Sequence, residues 1–520
     1  MKISAPLFAF LLLAVDPASA QPAPDPALAA AFTAVEAAPE SLAAHDALLR
    51  HYQTAMRANY NGRVALSEPF VQKYREWLAR TPHSLGLNYG LGSLFYSLED
   101  PRAKPHLLKV VELDPKQAKV FQMLSFDAER WGDEQGESDF MLRAAQADPA
   151  SPDYAFYYAS GLGRVNPAKW ESASLAVARQ FPTSERGAQA LYWLGERAPT
   201  ESKRIAIWEQ ALGQFPPEKF NWTSSAMPGL FDAYLRTAPA KALAFAQEMQ
   251  RTGVKDKVAK QVAQWVERAA FAQSFIDARA ALAARQPAQA AALLDKLPVD
   301  RRSSNARMIT LLRAEITAAT GDVPAAYDLL VKRHAATPED ETRTTLAGYG
   351  VKLGKTPAQI EADVWALRDA AAKPAPPFDL GLYTAERKLS LADLRGKVVF
   401  VTFWFPGCGP CRGEFPNFEN VVKKFGGTDL VYLGINGLPE QDDYVLPFMA
   451  GTKYSFTPLR GTEAVTGPTG YAVRGYPSNF LIDRTGRVVY RDFRASDAES
   501  ELQLQRMIES LLERASAAKL

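Results

Sequence analysis

Cys408 and Cys411 are the only two cysteines among the 520 residues of the chain, and only Gly409 and Pro410 separate them. A disulfide between them would close too short a loop to stabilise a fold, because such bridges gain most by closing long loops. Residues three apart in a helix have Cβ atoms roughly 5 to 6 Å apart, so this pair could form a disulfide with little backbone movement. We therefore predict that the pair performs redox chemistry.

The elements around the cysteines predict a different role for each. The apolar run KVVFVTFW predicts a buried strand that ends at Trp404, and a helix should start at the cysteines. At the helix start Cys408 should be exposed, and the helix dipole should lower the pKa of its thiol and make it the attacking nucleophile. Cys411 lies one turn further in, so it should be less exposed and resolve the mixed disulfide formed on Cys408. Pro410 suits the first helical turn, where a missing N–H costs nothing.

Strands and helices alternate in the predicted C-terminal domain, residues 378–520. LVYLGIN predicts a second strand, SNFLID and RVVYRDF predict a hairpin around DRTG, and a helix should run from about residue 497 to 514. Strands this apolar predict a sheet that is covered by helices on both faces. The expected fold of this domain is α/β and thioredoxin-like.

Two stretches of this domain, LADLRGKVVFVTFWFPGCGPCRGEFP and VRGYPSNFLIDRTGRVVYR, resemble the TlpA-like and ResA-like branch of thioredoxin-fold disulfide oxidoreductases. That branch is bacterial, exported and mostly reducing. The resemblance implies that Pro477 is cis beside the active disulfide and that Tyr476 and Pro477 dock the substrate. It also implies that Glu414 moves protons to and from the resolving thiol, although the helix dipole alone would favour a glutamate there. The branch usually has tryptophan where this chain has Gly407, which predicts a less crowded approach to Cys408.

The region from residue 21 to 370 reads as successive helices with a regular proline. The prolines Pro82, Pro115, Pro149, Pro182 and Pro216 each end a helical stretch, at the period of about 34 residues of tetratricopeptide repeats. Stacked helical hairpins leave a concave surface that often binds proteins, so we expect a protein partner there. The aromatic residues in this region are either core between helices or part of a ligand groove: Tyr154, Phe156, Tyr157, Tyr192 and Trp193. The Ala/Pro segment at 371–377 predicts a linker between the two domains.

The N-terminus predicts export. Lys2, the apolar run PLFAFLLLAV and the small residues ASA are typical of a signal peptide, residues 1–20, with cleavage after Ala20. We therefore expect an exported protein, and the resemblance to a bacterial branch implies the bacterial periplasm or another extracytoplasmic location. The net charge of +2 does not indicate a nucleic-acid-binding protein, which would carry an excess of basic residues. The five histidines lack metal-ligand spacing, and we predict neither a metal nor a cofactor.

Other cysteine chemistry fits less well. A thiol peroxidase usually has threonine or serine where this chain has Phe405, and a cysteine protease needs a histidine base, whereas no histidine follows His334. We predict an exported thiol-disulfide oxidoreductase that reduces protein disulfides and draws electrons from a membrane donor protein. The alternative is a binding scaffold of helical repeats with a redox-poor accessory domain. Whether the pair acts mainly as reductant or as oxidant stays open.

Overall fold

The computed structural model describes residues 26–60, 62–252, 259–295 and 305–517. The signal peptide predicted for residues 1–20 and its cleavage site lie outside these ranges. Among the described helices, none is both long and apolar enough to cross a membrane.

The described residues between 26 and 371 form a succession of α-helices, which we call the helical array. Neighbouring helices in the sequence pack against each other. The helices are α1 Pro26–Ala37, α2 Leu42–Ala58, α3 Arg63–Arg80, α4 Leu85–Ser97, α5 Ala103–Leu113, α6 Ala118–Arg130, α7 Glu134–Ala147, α8 Pro152–Val165, α9 Pro167–Gln180, α10 Glu185–Glu196, α11 Glu201–Gln214, α12 Asn221–Thr237, α13 Pro239–Thr252, α14 Ala259–Ala283, α15 Pro287–Leu294, α16 Ala306–Ala319, α17 Val323–Ala336, α18 Asp340–Lys352 and α19 Pro357–Ala371.

The recurring prolines mark helix ends, and a serine often starts the next helix. Pro82 lies two residues beyond the end of α3, and Pro149 holds the same place after α7. Ser84, Ser151 and Ser184 are the N-caps of the helices that follow, and each side chain accepts a backbone N–H of the first turn. The proline that cannot continue one helix and the serine that caps the next therefore set the hairpin period.

The C-terminal domain, residues 373–517, is built on a six-stranded sheet in the order β1-β8-β7-β4-β5-β6. Strands β4, β5 and β6 are parallel, while β7, β8 and β1 are added antiparallel. The elements are β1 Lys373–Pro374, β2 Asp379–Gly381, β3 Lys388–Ser390, β4 Val398–Trp404, α20 Gly409–Lys424, β5 Leu430–Asn436, α21 Asp442–Thr452, β6 Thr457–Arg460, α22 Glu463–Thr466, β7 Ser478–Ile482, β8 Arg487–Arg491 and α23 Ala498–Ala517, with 3-10 turns at Leu391–Leu394 and Pro439–Gln441. The predicted fold class, a helical region followed by a thioredoxin-like α/β domain, is confirmed.

The two faces of the sheet are covered differently. Phe400 and Trp404 of β4 point into the core formed with α20, α21 and α23. Val401 and Phe403, on the opposite face, pack with Phe378 and with side chains from the β2–β3 hairpin and the α22 region. The prediction of helices on both faces was therefore wrong for the second face, where a hairpin and the segment around α22 replace a long helix.

The Ala/Pro segment at 371–377 begins at the last residue of α19 and contributes the short strand β1 to the sheet. Lys373 and Pro374 pair with Val488 and Arg487 of β8, and the Ala375 N–H donates to the Gly486 carbonyl at 3.0 Å. The strand is at the sheet edge, which is where proline is tolerated in a sheet. The predicted linker thus holds the end of α19 against the C-terminal domain.

The helical array contacts the C-terminal domain at two separate places. The first, which we call the N-terminal contact, joins α3, α6, α7 and the residue Glu99 after α4 with α20, α21 and the turn before α21. The second, the C-terminal contact, joins α16, α18 and α19 with β8 and α23. Its ion pairs are Arg307 with Glu499, Arg506 with Asp340, and both Arg487 and Arg514 with Asp369.

The N-terminal contact includes a close crossing of two glycines. Gly132 follows α6 with φ +69°, and a Cβ on Gly451 of α21 would lie 2.6 Å from the Gly132 carbonyl oxygen. Beside this crossing the Tyr444 hydroxyl donates to the buried Asp127 carboxylate at 3.0 Å, and the Trp131 ring meets the Tyr444 ring edge-on at 5.5 Å. The backbone of α21 therefore packs directly against the backbone of the turn after α6.

Candidate active site

Cys408 and Cys411 form a disulfide at the start of α20, with their Cα atoms 5.3 Å apart. Cys408 is the N-cap of this helix, and the Cys411 N–H points at the Cys408 sulfur at 3.2 Å. Pro410 lies in the first turn, where its missing N–H leaves no helical bond unmade. This placement gives a Cys408 thiolate both a backbone donor and the positive end of the helix dipole.

Both cysteines are buried, which differs from the expectation that Cys408 is exposed. Cys408 is 2% exposed and Cys411 is fully buried in the disulfide-bonded state. The approach through Gly407 is also not open. A Cβ at that position would lie 3.0 Å from the Gln441 Nε2 and 3.5 Å from the Arg130 Nε of the helical array.

Glu414 lies one turn beyond Cys411 and is buried in the domain. Asn479 Nδ2 and Arg494 Nη1 each donate to one of its carboxylate oxygens at 3.2 Å. Burial raises the pKa of Glu414, while the Arg494 charge and the Asn479 hydrogen bond oppose that shift. A carboxylate with a raised pKa is a stronger base than an ordinary glutamate, which suits it to take up a proton from a thiol.

Tyr476 and Pro477 are joined by a cis peptide bond immediately before β7. The Tyr476 hydroxyl donates to the Gly437 carbonyl at 2.9 Å, and its ring meets Phe405 edge-on at 5.2 Å. Arg494 Nη1 donates to the Pro477 carbonyl at 3.0 Å. One arginine therefore holds the proline backbone and the Glu414 carboxylate together.

Arg412, the residue after the second cysteine, is almost completely buried between the two domains. Its guanidinium is 2.5 Å from Glu129 and 2.7 Å from Glu137, carboxylates of α6 and α7. A buried ion pair of this kind is strongly destabilising to break, because one charge is then left without a partner. The helix that carries both cysteines is therefore tied directly to the helical array.

Sequence reasoning missed several residues around the site. Gln441 accepts the Gly407 N–H at 2.7 Å and donates to Glu99 of the array at 2.7 Å. Arg494, Asn479 and Arg412 were also missed, because their partners are distant in sequence. The one available signal was Arg412 itself, a charged residue in the first turn of the helix that carries the cysteine motif.

Comparison with known proteins finds that the C-terminal domain is similar to redoxins. Residues 370–505 match the Redoxin family model. The chain is 33% identical over 106 residues to the thiol-disulfide oxidoreductase ResA of Bacillus subtilis, covering 20% of this chain and 58% of the relative. It is 32% identical over 122 residues to the thiol:disulfide interchange protein HelX of Rhodobacter capsulatus, and the match covers 23% of this chain and 66% of that relative. The chain thus spans less than two thirds of the length of these relatives.

A solved structure also resembles this region. The thiol:disulfide interchange protein of the thioredoxin family from Chlorobium tepidum is 26% identical, with a TM-score of 0.24, covering 27% of this chain and 97% of that one.

Proposed function

We propose that this chain is an exported thiol-disulfide oxidoreductase whose redox centre is the Cys408–Cys411 pair. The observation that carries the proposal is the pairing of these cysteines at the start of α20. The similarity of this region to ResA and HelX supports the same class of reaction. Similarity to these bacterial relatives, together with the signal-like N-terminus, supports a periplasmic location.

The reaction proceeds through two exchanges. The Cys408 thiolate attacks one sulfur of a substrate disulfide, that bond breaks, and the leaving thiolate takes a proton. The Cys411 thiolate then attacks the Cys408 sulfur and releases the second substrate thiol. The substrate gains two electrons, and the chain is left with the Cys408–Cys411 disulfide. In this scheme Glu414 accepts the Cys411 proton, and Tyr476 and Pro477 hold the substrate backbone.

We assign the pair a reducing role toward protein disulfides, with a membrane donor protein returning electrons to it. The helical array would recruit or select the protein partner. The array contains no cysteine, so it cannot relay electrons through thiols.

The test uses the reduced full chain. We expect it to reduce hydroxyethyl disulfide and insulin, with a reduction potential near the roughly −270 mV of thioredoxin. A potential near about −120 mV would make the pair an oxidant instead. No exchange with either disulfide would contradict the proposed function.

A further inference from the structure

Two hydrogen bonds join the residue before Cys408 to the helical array. Gln441 accepts the Gly407 N–H at 2.7 Å, and its Nε2 donates to the Glu99 carboxylate at 2.7 Å. Gln441 is only 1% exposed, so water does not compete for these bonds. Because the amide is held at both ends, a carboxylate of the array fixes the segment that leads into Cys408.

Arg130, the last residue of α6, is the ion-pair partner of Glu99. Its Nη2 lies 3.2 Å from Glu99 Oε1, and the two side chains are 12% and 30% exposed. A Cβ on Gly407 would lie 3.5 Å from the Arg130 Nε. Since consecutive Cα atoms are about 3.8 Å apart, this Nε lies within about 9 Å of the Cys408 Cα. Both charges are therefore near enough to act on a Cys408 thiolate.

A second carboxylate on α6, Asp127, is engaged elsewhere. Its oxygens accept the Tyr444 hydroxyl at 3.0 Å and the Trp131 indole N–H at 2.9 Å. Burial raises the pKa of Asp127, against the Tyr444 hydrogen bond and the charge of Arg130. Among the described residues, Glu99 is the carboxylate in ion-pair contact with Arg130.

The array holds the residues on both sides of the cysteine motif. Gly407 precedes the motif and is held through Gln441, whereas Arg412 follows it and pairs with Glu129 and Glu137. The charge of Arg412 is therefore offset by two carboxylates. On the Cys408 side, the balance depends on one arginine and one glutamate of the array.

We propose that the Arg130–Glu99 pair of the helical array belongs to the redox centre and sets the reduction potential of its cysteines. Both are positioning residues, because they act on the Cys408 thiolate through its surroundings. The inference rests on the proposed function, since it concerns the potential of the same centre. A positive charge stabilises the thiolate and with it the reduced pair, whereas a negative charge favours the disulfide.

The experiment equilibrates the full chain with glutathione buffers of defined ratio and measures the reduced fraction by alkylation. The chain has only two cysteines, so alkylation reports on this pair alone. We expect Glu99→Gln to shift the equilibrium roughly 10-fold toward the reduced pair, the order expected for one charge about 10 Å away at an effective dielectric constant of about 20. That factor corresponds to about 30 mV for a two-electron couple. Arg130→Gln should shift the equilibrium by a similar factor toward the disulfide.

The opposite signs separate an effect of charge from a loss of structure. The double variant Glu99→Gln/Arg130→Gln restores the net charge, so its potential should return close to the wild-type value, whereas structural losses would not cancel in this way. Arg130→Lys keeps the charge and should stay near the wild type. If Arg130→Gln does not fold, the difference between Arg130→Lys and Glu99→Gln still measures the effect of charge.

The matched controls are Glu201→Gln and Arg204→Gln, which change an ion pair of similar exposure, 25% and 22%, within α11. This helix packs on α10 and α12, and both variants should keep the wild-type potential. Circular dichroism checks that each variant folds. A wild-type potential in Glu99→Gln, or shifts of the same sign in Glu99→Gln and Arg130→Gln, would overturn the inference. Failure of the wild type to exchange with glutathione at all would instead overturn the proposed function.

Discussion

The two cysteines have different surroundings although they are only three positions apart in the sequence. Cys408 caps α20 and faces its backbone donors, whereas Cys411 is fully buried inside the first turn. The difference predicts which sulfur forms the bond to substrate. We expect the Cys408 sulfur to form that bond, because it lies at the N-cap of the helix.

Cys408→Ser should therefore abolish exchange, and Cys411→Ser should still attack substrate and accumulate mixed disulfides. The reason is that removal of the resolving thiol stops the reaction after its first step. Non-reducing gels of each variant with insulin measure this. Trapped complexes that form through Cys411 in the Cys408→Ser variant would reverse the assignment.

Glu414→Gln should slow release of the mixed disulfide by roughly 10²-fold, the lower range for a positioned proton acceptor. Burial raises the pKa of Glu414, so as the pH falls the wild type should lose this step at a higher pH than an ordinary carboxyl would permit. This fall in rate at low pH is the acidic limb of the pH profile, and the Gln variant should lack it. Single-turnover rates from pH 4 to 9 measure it, and identical profiles would leave Glu414 with only a helix-dipole role.

Arg494 acts on the same step as a positioning residue. Its charge lowers the pKa of Glu414 against the effect of burial, so Arg494→Gln should move the acidic limb to higher pH, and Arg494→Lys should restore part of the difference. The pH profile is the informative measurement, since a purely structural loss would lower the rate equally at every pH. An unshifted profile in Arg494→Gln would contradict this role.

The central elements of the redox site were predictable because their signals are local. The apolar run of β4 predicted a buried strand, and all seven of its residues are buried. The order of strand, cysteines and helix followed from neighbouring residues alone. The positions of Arg494 and Arg412 could not be predicted in this way, since the partners Glu414 and Glu137 are 80 and 275 positions away. Their placement depends on tertiary packing, which no local pattern encodes.

At the level of elements, the crossing of α21 with the turn after α6 leaves no room for a side chain. Gly451→Ala would place a Cβ 2.6 Å from the backbone oxygen of Gly132, in the turn after α6. We expect a loss of roughly 1–3 kcal/mol, as in overpacked cores, together with faster hydrogen exchange in α21. Differential scanning calorimetry and exchange mass spectrometry test both.

Gly348→Ala is the matched control for that substitution. Gly348 is also a helical glycine, in α18, and a Cβ there would meet nothing within 4 Å. Alanine has the better helix propensity, so this variant should be at least as stable as the wild type. Equal behaviour of the two variants would show that the crossing tolerates a methyl group.

For the whole molecule, the two contacts between the array and the C-terminal domain differ in exposure. Arg412 of the N-terminal contact is 2% exposed, whereas Asp369 of the C-terminal contact is 34% exposed. Salt screens exposed charges much more than buried ones. The C-terminal contact should therefore be the one that responds to ionic strength and to acid.

Raising the salt to 1 M should increase hydrogen exchange in α19 and α23 and leave α21 unchanged. Acid should act in the same direction. Hydrogen bonds from Arg514 lower the pKa of Asp369, so its stabilisation is present above the pKa of the unfolded chain and is lost as the pH falls through the lowered value. Asp369→Asn should remove much of the salt response. An equal salt response in α21 would contradict the assigned difference.

In the N-terminal contact, residues of the helical array are synthesised long before their partners in the C-terminal domain. Asp127 precedes Tyr444 by 317 positions, and Glu99 precedes Gln441 by 342. Contacts this distant in sequence form slowly and late, because a long loop must close first. During synthesis the acidic side chains of α6 and α7 are therefore hydrated until the C-terminal domain has been made. We expect the array to fold first and to serve as the template on which the redox centre is assembled.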